Sequence, residues 1–342
     1  MMLSATAVIA AGCATAPGPE REDTIPVPGG TPSTEVPTSF RRATTSARIA
    51  ECTVHPPDHF LNAVGVDKLP VHPKSSTWLN SLGGKDALVK FPTSQVWQGS
   101  RSGTPINVVD SSVTGFERVT MNPWGSPKSF HGPYPMPTNP RVTGDPTPAW
   151  DRRLLIVDVA DCMAYELIQY DLQLARLTGA HTALSGTRYP LNTTDWPTLT
   201  TNAPQTPFIG QLALQSEVAS GVVPHVLGFC SDSISTSHVW PARDSDGKVA
   251  SPNAMPMGTW IRLKATAKTA GFGPSAQAIV TALRTRGAVL TDTCAQDLFI
   301  QGENSTAWND ADLRALRTLS AADFEVVDTT SMRVHPKSFA IR

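Results

Sequence analysis

The stretch Asp151–Tyr170, with the sequence DRRLLIVDVADCMAYELIQY, decides the fold class of this chain. Two apolar, strand-like runs, Leu154–Val159 and Cys162–Tyr170, flank a short polar break at Ala160-Asp161. A two-residue break between two such runs is typical of a β-hairpin. The stretch therefore predicts an antiparallel strand pair at the centre of a β-rich fold.

The register of this predicted hairpin places a carboxylate on an apolar face. With a two-residue turn, Leu155 faces Glu166, and Arg153 lies diagonally across from Glu166 on the same face. The side chains that share this face on the second strand are mostly apolar. Glu166 is therefore a candidate functional carboxylate, and an ion pair with Arg153 is the structural alternative.

The composition favours a turn-rich β protein with a sizeable core. The chain has 342 residues, a formal net charge of -1, 40% hydrophobic residues and 30 prolines. So many prolines indicate turns and extended connections rather than a helical bundle. The near-neutral charge argues against a nucleic-acid partner.

The first 47 residues predict export. Met1–Cys13, MMLSATAVIAAGC, is a short apolar run without a basic start, and its end is typical of a lipoprotein-type signal peptide with Cys13 as the lipidated residue. Residues 14–47 are rich in Pro and Thr and predict a disordered tether. Residues 48–342 then predict a single domain, which we expect to be extracytoplasmic, either lipid-anchored to the cell membrane or secreted.

Four cysteines remain after Cys13, an even number in a chain that we expect to be exported. Cys52, Cys162, Cys230 and Cys294 predict two disulfides, with three connectivities open. Their wide spacing matches no metal motif, and the sequence contains no P-loop, HExxH or GxSxG motif. The sequence therefore predicts neither a metal site nor a cofactor.

The remaining segments predict strands with a few helices between them. Capping residues followed by helical periodicity indicate helices at Ser75–Leu82, Pro274–Arg286 and Asn309–Leu319. Strand patterns recur through the domain and include Phe208–Val218, Val222–Cys230 and Thr259–Ala265. We expect a mainly β fold, a concanavalin-like antiparallel β-sandwich or jelly roll with two or three peripheral helices.

A second glutamate lies on another predicted strand. Glu217 is part of QSEV, and His225 follows eight residues later in PHVLGF. Glycoside hydrolysis uses two carboxylates, one as general acid and one as nucleophile or base. A polysaccharide lyase would use similar groups to remove a proton next to a uronate carboxylate. Glu166, Glu217 and His225 are thus the predicted catalytic residues.

Aromatic and basic side chains are the candidates for substrate binding. The Pro- and Gly-rich segment Asn122–Asp145 predicts a rigid surface loop, and aromatic rings on such loops suit the flat faces of sugars. A flap that packs its aromatics on the sheet is the plainer alternative. The predicted substrate-binding residues are Trp124, His131, Tyr134, Arg153, Tyr165 and Arg262. The expected partner is a polysaccharide or cell-wall glycan.

Several short motifs between His59 and Asp328 resemble a family of secreted bacterial proteins. The motifs are GPYP at Gly132–Pro135, DR at Asp151-Arg152 with YEL at Tyr165–Leu167, E-V to H-x-L-x-F from Glu217 to Phe229, VWPAR at Val239–Arg243, PMG to RLKA at Pro256–Ala265 and WNDxDL at Trp308–Leu313. The resemblance implies secretion and no particular activity. The family pattern has Asp-Arg-His where this chain has Asp151-Arg152-Arg153. Any proton transfer by that His would therefore be lost here.

These features together predict an extracytoplasmic carbohydrate-active protein that hydrolyses or eliminates a polysaccharide with a pair of strand carboxylates. The alternative is a non-catalytic cell-envelope or glycan-binding protein. An open cleft that carries both Glu side chains would favour the enzyme. A filled fold with only loop aromatics exposed would favour the binding protein.

Overall fold

The computed structural model describes residues 41–43, 46–97, 99–146 and 151–342. The predicted signal peptide with Cys13, and residues 14–40 of the predicted tether, lie outside these ranges. The end of the predicted tether contains regular structure, although disorder was expected. Arg41–Arg42 pairs with Ala63–Val64, and another strand begins at Ala47.

The described chain is mostly β, with 28% strand against 20% helix. The strands are β1 (Arg41–Arg42), β2 (Ala47–Ile49), β3 (Cys52–Val54), β4 (Ala63–Val64), β5 (Val89–Lys90), β6 (Val96–Trp97), β7 (Ser100–Arg101), β8 (Ile106–Val109), β9 (Val119–Met121), β10 (Leu154–Asp158), β11 (Met163–Ile168), β12 (His181–Ala183), β13 (Ser185–Pro190), β14 (Leu227–Ser231), β15 (Trp260–Leu263), β16 (Ala288–Thr293), β17 (Leu298–Ile300) and β18 (Phe324–Val326). The helices are α1 (Ser75–Ser81), α2 (Ser111–Thr114), α3 (Leu172–Thr178), α4 (Gln215–Ser220), α5 (Pro274–Thr285) and α6 (Asp310–Leu313). Short 3-10 helices lie at Phe60–Asn62, Val66–Lys68, Gly84–Asp86, Ile209–Gln211, Arg314–Thr318 and Ala321–Asp323.

The predicted central hairpin is confirmed as β10 and β11, the middle of a four-stranded sheet. Leu155 lies opposite Glu166 in the antiparallel pair, which is the register expected from the sequence. The strand order is β13-β11-β10-β8, and β8 joins β10 in parallel. Alternate side chains serve two cores, since Leu155 packs in one apolar cluster and Leu154 in another on the opposite face.

A curled six-stranded sheet with the order β18-β15-β16-β14-β17-β5 carries the larger core. Here too the faces alternate. Ile261 packs with the buried side of α5, whereas Trp260 packs in the same cluster as Leu155 of the four-stranded sheet. The two sheets therefore share one apolar cluster.

The strand pairing departs from a jelly roll, which is antiparallel throughout. The pairs β8–β10, β9–β12, β14–β16 and β5–β17 are parallel. A parallel pair cannot be closed by a tight turn and needs a long connection. In the β14–β16 pair this connection contains β15 and α5.

Two of the predicted helices are confirmed as α1 and α5, the third is only the short α6 followed by the 3-10 helix Arg314–Thr318, and one predicted strand is wrong. Phe208–Val218 forms a 3-10 turn at Ile209–Gln211 followed by α4, not a strand. The carboxylate of Glu217 accepts a hydrogen bond from the N–H of Leu214 at the start of α4. This capping contact stabilises the first turn of a helix where side-chain alternation suggested a strand.

Both predicted disulfides are present and join Cys52 to Cys162 and Cys230 to Cys294. They indicate an oxidising, extracytoplasmic environment. Within the described ranges, no helix has the length and apolar character needed to cross a membrane.

Candidate functional site

A cleft of about 790 Å³ opens beside the four-stranded sheet. Its walls come from the β6–β7 hairpin, from residues 136–146 of the Pro-rich loop and from α3 with the start of β12. Pro137 and Pro140 are among the lining residues, and proline fixes the backbone φ angle. The predicted rigid loop thus forms a wall, although its aromatic residues lie elsewhere.

Three side chains form a hydrogen-bonded chain that ends in this cleft. The Tyr170 hydroxyl lies 2.6 Å from Nδ1 of His181, and Nε2 of His181 lies 3.0 Å from Oε2 of Glu117. Tyr170 is fully buried, whereas the Glu117 side chain is 56% exposed. We call these residues the Tyr170–His181–Glu117 chain. It runs from the core to the cleft wall.

Local backbone structure brings the chain together. The parallel β9–β12 pair places His181 opposite Val119, two residues after Glu117. Reciprocal backbone hydrogen bonds of 2.8 and 2.9 Å join Glu117 to Tyr134 in the Pro-rich loop. Gly179, with a φ of 74°, ends α3 in the left-handed conformation and directs the chain back into β12.

The geometry fixes the position of one imidazole proton when Glu117 is ionised. A carboxylate can only accept, so Nε2 of His181 carries a proton; when the imidazole is neutral, Nδ1 accepts and the Tyr170 hydroxyl donates. Burial raises the pKa of Tyr170 above its ordinary value, and the charge of Glu117 adds to this rise. Tyr170 therefore stays protonated and fixes the imidazole, leaving the second oxygen of Glu117 for a ligand.

The charged groups around the cleft are unevenly paired. Arg176 and Asp145 form a two-bond fork of 3.0 and 2.9 Å. The guanidinium of Arg101 donates to the carbonyl of Ser94, and that of Arg141 donates to the carbonyl of Ile106. Neither Arg101 nor Arg141 has a carboxylate at ion-pair distance among the described residues.

Glu166, the first predicted catalytic residue, is fully buried and does not line the cleft. Its carboxylate accepts hydrogen bonds from the hydroxyls of Tyr189 and Thr201, both at 2.6 Å. It also accepts from the N–H groups of Phe208 and Ile209, at 2.9 and 3.3 Å. Glu166 therefore ties β11 to β13 and to the loop that follows.

The predicted ion pair between Arg153 and Glu166 is not the one observed. Arg153 is buried and pairs instead with Asp151 at 2.9 Å and with Asp292 at 3.1 Å. Asp292 belongs to β16, so this contact links the two sheets. Arg153 also lies over the ring of Phe208, 4.4 Å from its centroid.

Glu217 and His225, the other predicted catalytic residues, form a pair of their own. Nε2 of His225 lies 3.0 Å from Oε2 of Glu217, and their side chains are 2% and 10% exposed. Although burial alone lowers the pKa of His225, the charge and hydrogen bond of Glu217 raise it overall. Glu217 lies on a helix rather than a strand, and neither residue lines the cleft.

The predicted substrate-binding residues do not line the cleft either. Tyr134, Tyr165 and Arg262 are buried, and Arg262 binds Glu325 at 3.1 Å and the carbonyl of Leu69 at 2.7 Å. Arg262 is therefore held in the interior by protein partners. Trp124 is 83% exposed and His131 is exposed, both on the Pro-rich loop.

A buried pair of histidines lies apart from the cleft. The rings of His55 and His59 stack with centroids 3.9 Å apart. Burial lowers the pKa of His55 to about 3, although a hydrogen bond with the Thr193 backbone opposes this effect, and burial lowers the pKa of His59 as well. Both imidazoles are therefore neutral in the folded protein.

Sequence reasoning missed every residue of the Tyr170–His181–Glu117 chain. Glu117 and His181 are 64 positions apart and belong to no recognisable motif. Only the parallel pairing of β9 with β12 brings them together, and parallel pairs leave no local turn signal. The described residues contain no group of three His, Cys, Asp or Glu side chains placed to hold a metal ion.

Comparison with known proteins finds no matching family model, no matching curated protein and no matching solved structure. The resemblance to a secreted bacterial family therefore stays an expectation from the sequence.

Proposed function

We propose that this protein is an extracytoplasmic, cell-envelope protein that binds a saccharide in the cleft. The observation that carries the proposal is the Tyr170–His181–Glu117 chain, which presents a fixed carboxylate at the wall of a cleft of about 790 Å³. The two sheets act in this proposal as a sandwich-like scaffold, and attachment through Cys13 provides the membrane anchor. The disulfides support the compartment.

The lining of the cleft suits a sugar because it combines polar and apolar groups. A sugar ring has hydroxyls, which need hydrogen-bond partners, and C–H faces, which favour apolar contact. The carboxylate of Glu117 can accept hydrogen bonds from sugar hydroxyls, and the guanidinium groups of Arg101 and Arg141 can donate hydrogen bonds to them. Pro137 and Leu172 contribute apolar lining. Because prolines hold part of the wall, ordering it on binding costs little entropy.

Binding fits the carboxylates better than two-carboxylate hydrolysis does. That mechanism needs one carboxyl group that can donate a proton and a second that attacks or activates water. Among the described lining residues, the carboxylates are Glu117 and Asp145. Both carboxylate oxygens of Asp145 accept from Arg176 in an ionic fork. Glu166 and Glu217 are in the interior, bonded to protein groups.

The test is a glycan array probed with the purified protein, followed by calorimetric titration of the best oligosaccharide. Glu117→Gln keeps the size of the side chain and removes its charge, so we expect an affinity loss of roughly tenfold or more, typical of a hydrogen bond to a charged acceptor. Glu51→Gln, an exposed position on the β2–β3 turn, is the matched control and should bind like the wild type.

Two results would contradict the proposal. One is the absence of binding to any glycan on the array by the folded, disulfide-bonded protein. The other is unchanged affinity in Glu117→Gln. Release of new reducing ends from a bound oligosaccharide would instead establish hydrolysis and return attention to a catalytic role for the predicted carboxylates.

A further inference from the structure

We propose that the saccharide bound in this cleft is acidic and that Arg101 and Arg141 hold its anionic group. This inference rests on the proposed function and names the chemical class of its ligand. The group would be a carboxylate, as in a uronic acid, or a phosphate or sulfate ester, since a guanidinium fork fits all of these anions.

The first argument is the charge balance of the lining. The described lining residues include Arg101, Arg141 and Arg176 against Glu117 and Asp145. Arg176 and Asp145 neutralise each other in their fork. Two arginines then face one carboxylate, so the cleft has a net positive charge in a chain whose formal net charge is -1. The excess is local rather than a property of the whole surface.

The second argument is the unused hydrogen-bonding capacity of the two arginines. A guanidinium has five N–H donors. Among the described residues, the side chain of Arg101 donates to the carbonyl of Ser94, at 2.6 Å, and that of Arg141 donates to the carbonyl of Ile106. Each contact orients the guanidinium and leaves further donors for an anion. Fixing such side chains before binding reduces the entropy lost when the ligand arrives.

The third argument is that the backbone of Arg141 is held by a buried polar residue. The Asn107 side chain of β8 accepts from the N–H of Arg141 and donates to its carbonyl, both at 2.9 Å. The same amide donates to the carbonyl of Leu155 at 2.9 Å. Asn107 is 5% exposed, so this anchor lies in the protein interior. The backbone of Arg141, although part of the Pro-rich loop, is therefore anchored to β8 and β10 of the four-stranded sheet.

Arg101 has a comparable support in the β6–β7 hairpin. The side-chain amide of Asn304 donates to the carbonyl of Arg101 at 2.9 Å, and Asn304 itself lines the cleft. The hydroxyl of Ser100, the residue before Arg101, donates to the carbonyl of Gly144 in the Pro-rich loop at 2.6 Å. These contacts join the β6–β7 hairpin to the Pro-rich loop, which contains Arg141.

The experiment compares acidic and neutral oligosaccharides of equal length by isothermal titration calorimetry. The probes are an oligogalacturonide, the same oligomer with its carboxyl groups methyl-esterified, and a sulfated and a phosphorylated neutral oligosaccharide. We expect the acidic probes to bind more tightly than the ester, with an affinity that falls as salt increases. Which acidic probe binds best identifies the anionic group.

Variants then test whether the two arginines bind the anionic group of the ligand. Arg141→Gln and Arg101→Gln should each lower the affinity for the acidic probe roughly tenfold to a hundredfold, as expected for lost hydrogen bonds to a charged group, and should lower the affinity for the ester less. Arg141→Lys keeps the charge without the fork and should lose less. Arg188→Gln removes an exposed arginine that lies over Phe130 outside the cleft, and serves as the control.

The outcomes separate this inference from the proposed function. Equal affinity for acidic and esterified probes, with binding that still depends on Glu117, would overturn the inference alone. No binding of any saccharide would overturn both. Unchanged affinity of Arg141→Gln and Arg101→Gln for the acidic probe would also overturn the inference. Far-ultraviolet circular dichroism and thermal melts establish that each variant is folded, and Arg141→Lys replaces Arg141→Gln if the latter is not.

Discussion

Replacing Glu166 tests whether this buried carboxylate anchors the fold. Glu166→Ala leaves four donors without their acceptor: the hydroxyls of Tyr189 and Thr201 and the N–H groups of Phe208 and Ile209. A buried donor that loses its partner costs at least about 1–1.5 kcal/mol. The free energy of unfolding should therefore fall by roughly 4–6 kcal/mol, which approaches the whole stability of many domains.

Glu166→Gln gives a smaller and more informative loss. An amide oxygen in the place of Oε1 still accepts from Tyr189, Phe208 and Ile209, all of which contact that atom. The amide nitrogen in the place of Oε2 donates to the hydroxyl of Thr201, which rotates to accept. What is lost is the charge-assisted part of the hydrogen bonds, about half of their strength. We expect a decrease of roughly 2–3 kcal/mol.

Equilibrium urea unfolding of the oxidised protein, followed by tryptophan fluorescence and circular dichroism, measures these losses. The expected order of stability is wild type, then Glu166→Gln, then Glu166→Ala, with Glu51→Gln equal to the wild type. Affinity for the saccharide should change little in Glu166→Gln, because Glu166 does not line the cleft. A Glu166→Gln variant of wild-type stability that has lost turnover of a polysaccharide would refute this reasoning and favour the catalytic role.

Two further predictions concern pH and redox conditions. The pKa of His55 is about 3 in the folded protein, below its ordinary value of 6.5. Between these two pH values the imidazole is protonated in the unfolded chain but not in the folded protein. The free energy of unfolding therefore falls as pH decreases, by at most roughly 1.4 kcal/mol per pH unit. In urea titrations, the stability of His55→Gln should change less with pH than that of the wild type. Burial raises the pKa of Asp292 to about 7, which gives a slope of opposite sign in both proteins. Equal pH slopes of stability in the two proteins would contradict the assignment to His55. Mild reductant should open the bridge of the exposed Cys294 before that of the buried Cys52, as read by alkylation and mass spectrometry, and the reverse order would be inconsistent with their exposure. Loss of the Cys52 bridge should lower stability by about 4–5 kcal/mol on the chain-entropy model for a separation of 110 residues.

Local signals in the sequence predicted the elements that depend on local structure. The β10–β11 hairpin, with Leu155 opposite Glu166, follows from two apolar runs and a short break. Helix α5 follows from an early proline and a 3.6-residue period. In both cases the residues that determine the element are neighbours in the chain.

The prediction was wrong where a tertiary contact decides the structure. The segment QSEV alternates like a strand, yet Glu217 caps α4 and pairs with the buried His225. Arg262 was predicted to bind substrate, yet it is buried, with its charge and donors satisfied by Glu325 and the carbonyl of Leu69. The sequence alone does not show that such partners exist.

The cleft is the least predictable part because its residues come from five separate segments of the chain. Arg101, Glu117, Arg141 and His181 are each unremarkable in their local sequence. Their proximity depends on the parallel β9–β12 and β8–β10 pairs and on the Asn107 anchor. Composition nevertheless indicated that the Pro-rich loop has a restricted backbone, and this loop is the part of the site that the sequence did predict.

The disulfide connectivity has a consequence for how the protein is made. In chain order, the bridges join the first described cysteine to the second and the third to the fourth, so the two loops follow one another and do not cross. A polypeptide that is threaded into an oxidising compartment from its N-terminus exposes Cys52 and Cys162 before Cys230 and Cys294. Oxidation of cysteines in the order in which they emerge would then yield the native pairs directly, without a catalyst that reshuffles wrong bridges.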